Sequence, residues 1–385
     1  MGGQAFATSG PNGTPLNVPR MPPHVYKDVS ARMQTLLKPI FQRTIVPRDA
    51  PEKLDHGDVD ILVGGALQKW TPTTIGEAIG AQYHISNGGS HNFAIPHPEV
   101  PDAFVQVDIE ISPGDGTPNA AELFEWTNFM KSDADLMQII GVSHRALGLT
   151  SNDRGLHVRV EEIEPQNKKK SQIFLTRKPD EAMAFLGLDM QKYWKGFETE
   201  EEIFKWVSNG RFFARSTFDE RTEKVNDRQR LRKRGMYRRF MDEWMPWNPE
   251  AGERDGTWTR QEVLEEALET FDKRGEYRVL MDEHNTHERN EALWKRIREV
   301  LPLEGPSLGM ALKGLKRWVS FENGQPYVSD VRLTDDPPSW ITIIGDAGEE
   351  PILAWVTENW TQVKSLEKSY ASSARKGHKG NTQAH

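Results

Sequence analysis

Lys53-Leu54-Asp55-His56-Gly57-Asp58-Val59-Asp60-Ile61-Leu62-Val63 is the stretch on which the reading of this chain turns. Two aspartates stand one residue apart inside an apolar, β-branched run. In a strand, residues i and i+2 share a face, so Asp58 and Asp60 project side by side while Val59, Ile61 and Val63 point the other way. Carboxylates that close repel one another, and a core has no use for them unless a cation neutralises the pair. Mg²⁺ is the hard, oxygen-seeking cation for such a pair, and it takes its remaining ligands from water and from phosphates. Gly57, which leads into the strand, gives the backbone freedom at its entry.

A third carboxylate lies downstream. Phe104-Val105-Gln106-Val107-Asp108-Ile109-Glu110-Ile111 alternates strictly, with Val105, Val107, Ile109 and Ile111 on one face and Gln106, Asp108 and Glu110 on the other. That is the pattern of a half-buried strand. Paired beside the Asp58/Asp60 strand, it predicts a three-carboxylate cluster of Asp58, Asp60 and Asp108. Such a cluster suits two metal ions about 3.5–4 Å apart, the spacing that clamps the attacking and leaving oxygens of a phosphoryl displacement.

These residues, in this order, resemble the nucleotidyltransferase superfamily typified by DNA polymerase β: Gly-Asp-x-Asp and two hydrophobic residues, then a separate strand with one more Asp. More narrowly, the chain resembles phage, bacterial and fungal nucleotidyltransferase-like proteins. The likeness is carried by Gly2-Gly3-Gln4-Ala5-Phe6, by Ser86-Asn87-Gly88-Gly89-Ser90 before the third carboxylate strand, by Gly148-Leu149 and Gly155-Leu156, and by Ile173–Arg177 leading to Phe185-Leu186-Gly187-Leu188. It spans roughly residues 1–245. It implies an α+β fold, a polymerase-β-like core of mixed sheet and helices followed by a helical domain. It also implies Mg²⁺ or Mn²⁺ as cofactor, held by Asp58, Asp60 and Asp108 as catalytic and metal-binding residues, and a nucleoside triphosphate as substrate. The resemblance selects Asp108 over its face-mate Glu110.

One element of the superfamily is absent. Its members carry a hydrophobic-Gly-Gly/Ser element shortly before the first Asp, where backbone N–H groups at a helix N-terminus grip the triphosphate. Here that window reads Ile45-Val46-Pro47-Arg48-Asp49. Gly2, Gly3, Lys53, Gly57 and Asn87 are the candidates for contacting the nucleotide in its place, with Arg48 as a further source of charge.

The composition narrows the function classes. The chain has 385 residues, enough for two or three domains, with 28% charged residues and a net charge of −8. Its mean hydropathy is −0.67. Zero Cys removes disulfides, thiolate zinc sites and thiol chemistry, and fits an intracellular protein, cytoplasmic or nuclear. No apolar run approaches the length of about 18 residues that marks a membrane helix, so no membrane partner is expected. The N-terminus has no signal-peptide core. Phe6 stands where a myristoylation signal needs Ser or Thr.

Along the chain, residues 7–25 read as a Pro/Gly-rich arm, and Val25 to Phe41 as an amphipathic helix. After the Asp58/Asp60 strand, Thr74–Ile79 reads as a helix, and Tyr83–Ile95 as a hairpin turning at Asn87-Gly88-Gly89-Ser90. Residues 120–148 read as helical. His157–Glu164 and Gln172–Leu175 read as strands either side of Lys168-Lys169-Lys170. Thr199–Glu202 and Thr259–Glu262 both fit the Thr-x-x-Glu capping box, and helices follow to Arg298. The expected domains are a nucleotidyltransferase-like domain over 1–178, a helical domain over 179–301, an extension over 302–363 with short strands at Trp318–Phe321 and Trp340–Ile344, and a disordered tail over 364–385.

The densest basic run holds Arg228, Arg230, Arg232 and Arg234, with Arg238 and Arg239 beyond and Tyr237 and Phe240 interleaved. It reads either as a surface for the triphosphate or a nucleic-acid acceptor, or as a solvated helix offset by Asp227, Asp242 and Glu243. His284 and His287 do not follow the order His-Glu-x-x-His, and G-x-x-x-x-G-K-[ST] is absent, so neither a zincin nor a P-loop enzyme is indicated. No nucleophile elbow supports Ser-His-Asp chemistry. The leading expectation is a Mg²⁺-dependent nucleotidyltransferase moving an NMP group from an NTP to a hydroxyl acceptor. The rival is a non-catalytic nucleotide- or nucleic-acid-binding protein on the same fold.

Overall fold

Alternation along two strands organises the first half of the molecule. In the computed structural model, which describes residues 5–8, 13–87, 89–219, 234–252, 258–333, 339–344 and 348–380, a one-turn helix α1 (Ala5–Thr8) precedes α2 (Pro23–Leu37) and β1 (Phe41–Ile45). β2 (Asp58–Ala66), α3 (Pro72–Ile79), β3 (Tyr83–Asn87), β4 (Ser90–Pro96) and β5 (Phe104–Ile111) follow. They form a mixed five-stranded sheet in the order β1-β2-β5-β4-β3, in which only β2 and β5 run parallel.

One face of this sheet is a core. Val59, Ile61, Val63, Val105, Val107 and Ile109 pack against Val25, Val29, Met33 and Leu37 of α2 and against Ile75 and Ile79 of α3. α2 begins on Pro23, which already has the backbone angle a first helical turn needs. It ends at Leu37, so Phe41, expected inside this helix, instead opens β1 and is buried in the sheet. α3 is fixed at both ends, by a Thr71–Thr74 capping box and by Gly80 at φ 75°, a left-handed angle that glycine adopts without strain.

The expected helical stretch 120–148 is two helices, α4 (Ala120–Lys131) and α5 (Leu136–Arg145), broken where Asp133 and Ala134 take positive φ. A second sheet, β6 (Leu149–Asn152), β7 (Gly155–Arg159) and β8 (Gln172–Thr176), is antiparallel throughout. Helices α6 (Pro179–Leu186), α7 (Met190–Lys195), α8 (Glu200–Ser208), α9 (Ser216–Asp219), α10 (Gly235–Arg239), α11 (Met245–Trp247) and α12 (Arg260–Thr270) follow. The capping box at Thr259–Glu262 is complete. At Thr199 only half forms, because the Glu202 carboxylate turns to Lys192 and the Glu198 N–H.

The chain divides into two compact units, Met1–Arg274 and Gly275–His385, so the first sheet, the second sheet and helices α6–α12 share one unit. The second unit contains most of α13 (Arg274–Val300), then α14 (Gly305–Trp318), a β9–β10 hairpin (Val319–Glu322, Gln325–Val328), α15 (Trp340–Ile344) and α16 (Glu350–Gly380). Two expectations change here. Trp340–Ile344 is a helical turn, with Trp340, Ile341 and Ile344 in the core of this unit. Residues 364–380, read as a disordered tail, continue α16. Val356 and Val363 anchor that helix in the core, and buried Glu367 accepts from Arg317 at 2.6 Å and from the Trp318 indole at 3.0 Å. Ion pairing of a buried acid does not show in apolar periodicity.

Candidate functional site: an acidic face on the first sheet

β2 and β5 lie in parallel register with Asp60 beside Asp108 and Asp58 beside Gln106. Alternation therefore puts all three aspartates on the face opposite the α2/α3 core. Across the sheet, β4 brings Asn92 alongside Asp108. Asn92 Nδ2 donates to Asp108 Oδ1 at 2.6 Å, and Gln106 Nε2 donates to both Asp108 oxygens at 2.9 and 3.0 Å. Gln106 is held in turn by the Ala5 N–H, which donates to its Oε1 at 3.0 Å. The N-terminal segment thus leans on the residue that orients Asp108.

α4 limits the face on one side. It comes close because β2 carries Gly64 beneath Phe124, where a Cβ would stand 3.1 Å from the ring. The last residue of α4, Lys131, reaches Glu110 at 2.7 Å. This separates the two acids of β5: Glu110 has a fixed counter-charge, whereas Asp108 is held by amides.

The electrostatics follow. Burial against the sheet pushes the Asp60 carboxyl up to about 7, with Asp58 and Asp108 adding repulsion and Lys131 opposing it. Asp60 nonetheless keeps exposed surface, so a cation arriving from solvent has access to it. Burial also raises Asp108, to about 6; Asp58 pushes the same way, while the Asn92 and Gln106 donors and Lys131 pull it down. The donor set, carboxylate oxygens under mutual repulsion, suits a hard divalent cation. Among the described residues, however, no group of three or more His, Asp or Glu is placed to hold a metal ion, so Asp58, Asp60 and Asp108 share a face without closing into the three-carboxylate cluster that the sequence predicts.

Other predicted site residues have different surroundings. Lys53 Nζ pairs with Asp49 at 2.6 Å. Arg48 pairs with Asp133 at 2.8 Å, donates to the Tyr193 carbonyl at 2.6 Å and covers the Tyr193 ring at 4.3 Å, so it is a strut for the loop before β2. Gly57 is buried at the entry to β2. Asn87 closes the β3–β4 hairpin opposite Ser90. Gly2 and Gly3 lie outside the described residues, as do Arg228, Arg230 and Arg232. Arg234 pairs with Asp135 at 3.1 Å and Arg239 with Glu200, while Tyr237 and Phe240 are buried in packing.

Sequence reasoning missed His56. Its ring stacks on Tyr26 at 3.7 Å and meets Asp49 at 2.9 Å, and its backbone exchanges hydrogen bonds with Met21. Together these fix the approach to Asp58. A cleft of about 760 Å³ opens beside this approach, with Arg20, Lys53, Asp135, Glu200, Arg234 and Arg239 in its wall; none of the three aspartates lines it. Asn92 was also missed, because only the β4–β5 register brings it to Asp108.

No family model matches this chain, and no curated protein matches it. Among solved structures the chain is similar to polymerase beta of Leishmania infantum, seen in a ternary P/T complex. The identity is 12% and the TM-score 0.32, over 44% of this chain and 74% of that one. A likeness that distant carries no argument about the site, which rests on its own residues.

Proposed function

We propose that this chain is a divalent-metal-dependent nucleotidyltransferase that transfers an NMP group from a nucleoside triphosphate to a hydroxyl acceptor and releases pyrophosphate. The observation that carries the reading is the parallel register of β2 and β5, with Asp60 beside Asp108 and Asp58 on the same face. Glu110 has an ion-pair partner in Lys131, whereas Asp108 receives hydrogen bonds from two neutral amides. Such amides orient a carboxylate and leave its charge in place.

Asp58, Asp60 and Asp108 would hold Mg²⁺ or Mn²⁺. Mg²⁺ is commonly held by one or two carboxylates that share the ion with water and substrate phosphates. Bound there, the ion supplies Lewis-acid stabilisation of the phosphoryl oxygens and lowers the pKa of the attacking hydroxyl. The residues themselves fix geometry: Gln106 and Asn92 hold the plane of Asp108, and Gly64 lets α4 close one side of the face.

The competing reading is a protein that binds a nucleotide or nucleic acid on the same fold without turning it over. It is favoured by the loop Ile45–Asp49, which has no Gly or Ser to grip a triphosphate and whose Arg48 is engaged by Asp133 and Tyr193. Incubating the chain with α-labelled NTPs, Mg²⁺ and a panel of hydroxyl acceptors distinguishes the two. Transfer requires label on an acceptor together with released pyrophosphate. A metal-dependent thermal shift with NTP but no product with any acceptor favours binding alone.

A further inference from the structure

A cavity of about 580 Å³ opens beside β1, between α4, the start of α6 and α7, and none of the three aspartates lines it. Ile45, Phe124, Pro179 and Trp194 form its apolar side. Trp194 is 51% exposed, yet its ring is fixed twice. The indole N–H donates to Asp180 at 2.6 Å, and the ring meets Tyr193 edge-on with centroids 5.0 Å apart. An indole held in place with half its surface open is a ready platform for a ligand. On α4, Phe124, Glu125 and Asn128 fall within about one turn and share this wall. The Asn128 Oδ1 is buried and, among the described residues, accepts no hydrogen bond. An acceptor left unmet is costly, and rotation of the amide offers it to a donor in the cavity.

The charges of the wall narrow that donor. Among the described residues its carboxylates are Glu125, Asp180 and Glu181, and its cation is Lys178. Glu181 takes up Lys178 at 2.8 Å. Among the described residues no cation pairs with Glu125 or Asp180, and the neutral indole N–H leaves the Asp180 charge in place. Arg43, 5.8 Å from the Phe124 ring centroid, and Arg177, 3.8 Å from Glu122, do not line the cavity. Two negative charges are thus left over, so an anion is repelled and a cation is drawn in. The unmet acceptor calls for an N–H, which a primary ammonium has and a quaternary one lacks. The open indole attracts the same charge, and the apolar side and the volume suit a small organic body.

We propose that this cavity binds a small primary amine in its ammonium form, with the charge met by Glu125, Asp180 and Asn128 and the apolar body against Trp194. The proposal is independent of the metal reading of the acidic face.

The test uses the full chain with ¹⁵N-labelled tryptophan at neutral pH, titrated separately with phenethylamine, its N,N,N-trimethyl analogue and 2-phenylethanol. The Trp194 indole signal is expected to shift with phenethylamine and to stay put with the alcohol. The trimethyl analogue has no N–H for Asn128 and should bind about tenfold more weakly than the amine. Glu125→Gln combined with Asp180→Asn removes both charges and keeps an acceptor for the indole. This paired variant should weaken Kd for phenethylamine by about tenfold, the worth of two solvent-facing ion pairs. The Trp194 signal is assigned by its loss in Trp194→Phe. Should that variant fail to fold, ¹H line broadening of phenethylamine on wild type against the paired variant reads the same binding. The proposal is overturned by an unmoved Trp194 signal with phenethylamine, by an equal shift with the alcohol, by equal affinity for the trimethyl analogue, or by a Kd unchanged in the paired variant.

Discussion

Two charged clusters in the first unit are built on opposite plans. Around β7, Arg159 is 5% exposed, yet every part of its guanidinium is answered. Glu164 accepts from it and from Arg260, and the carbonyls of Gly148 and Arg145 accept at 3.3 and 2.7 Å. Burial opposes ionisation of Glu164, but the Arg260 and Arg159 guanidiniums win and hold its carboxyl below the usual range. On the β2–β5 face, like charges adjoin, neutral amides orient one of them, and carboxyls rise. The first arrangement sets opposite charges against each other and serves the fold. The second sets like charges side by side, and under the proposed reading a cation would complete it.

The largest effect that separates the two plans is expected from Asp58→Asn with Asp60→Asn. Asn keeps shape and a carbonyl ligand but removes two negative charges. Mg²⁺-dependent NMP transfer should fall by about 1,000-fold or more, the several kcal/mol that a Lewis-acid ion supplies. The thermal midpoint in EDTA should stay equal or rise, because repulsion is relieved. A large drop in that midpoint would make these aspartates scaffold and erase the contrast.

Glu164→Gln is expected to do the reverse. It removes the carboxylate charge that the buried Arg159 and Arg260 share, at a cost of about 3 kcal/mol. Urea unfolding measures that loss, and NMP transfer per folded molecule should not change. If stability is kept while transfer collapses, Glu164 belongs to the functional cluster instead.

How much of this was legible before folding depends on the period of each signal. Alternation in Asp58–Val63 and Phe104–Ile111 assigns each side chain to a face, because the strand period is two. That single signal carried both the apolar core and the acidic face. The Asn87–Ser90 turn was legible from its glycines. Asn92 was not, since its place beside Asp108 is set by the β4–β5 register and not by its own neighbours in sequence. His56 and Arg48 escaped for the same reason: their partners Tyr26, Asp133 and Tyr193 are far away in the chain. The continuation of α16 was hidden because one buried acid, Glu367, holds its polar turn through Arg317 and Trp318.

A middle-sized effect sharpens the role of the amides. Asn92→Ala removes the 2.6 Å donor to Asp108 and leaves the charge count unchanged. Residues that orient a metal ligand typically change metal affinity by about 10-fold or more. The Mg²⁺ concentration for half-maximal transfer should rise by about that factor, with little change in the rate at saturating Mg²⁺. An unaltered Mg²⁺ dependence would mean that Asn92 merely fills the sheet face.

The smallest effect is a pH dependence, and the two clusters should show it with opposite signs. Asp60 and Asp108 have folded values raised to about 7 and about 6 from 3.8, so in metal-free protein the folded state holds protons that the unfolded chain has released. Stability then falls as pH rises through that window and the full repulsion is present above it. Glu164 is lowered, so its contribution is present above the ordinary glutamate value and is lost as pH falls. Asp60 keeps exposed surface, so solvent screens part of its effect, and a shift of only a few degrees is expected. The measurement is the difference in thermal midpoint between the double variant (Asp58→Asn with Asp60→Asn) and wild type in EDTA, at about pH 5 and about pH 8. The variant's advantage should be larger at the higher pH, and Mg²⁺ should shrink it there by stabilising wild type alone. An advantage that is flat with pH, or larger in acid, would show that the aspartates are not crowded in solution and that the β2–β5 face is as well compensated as the Arg159 cluster.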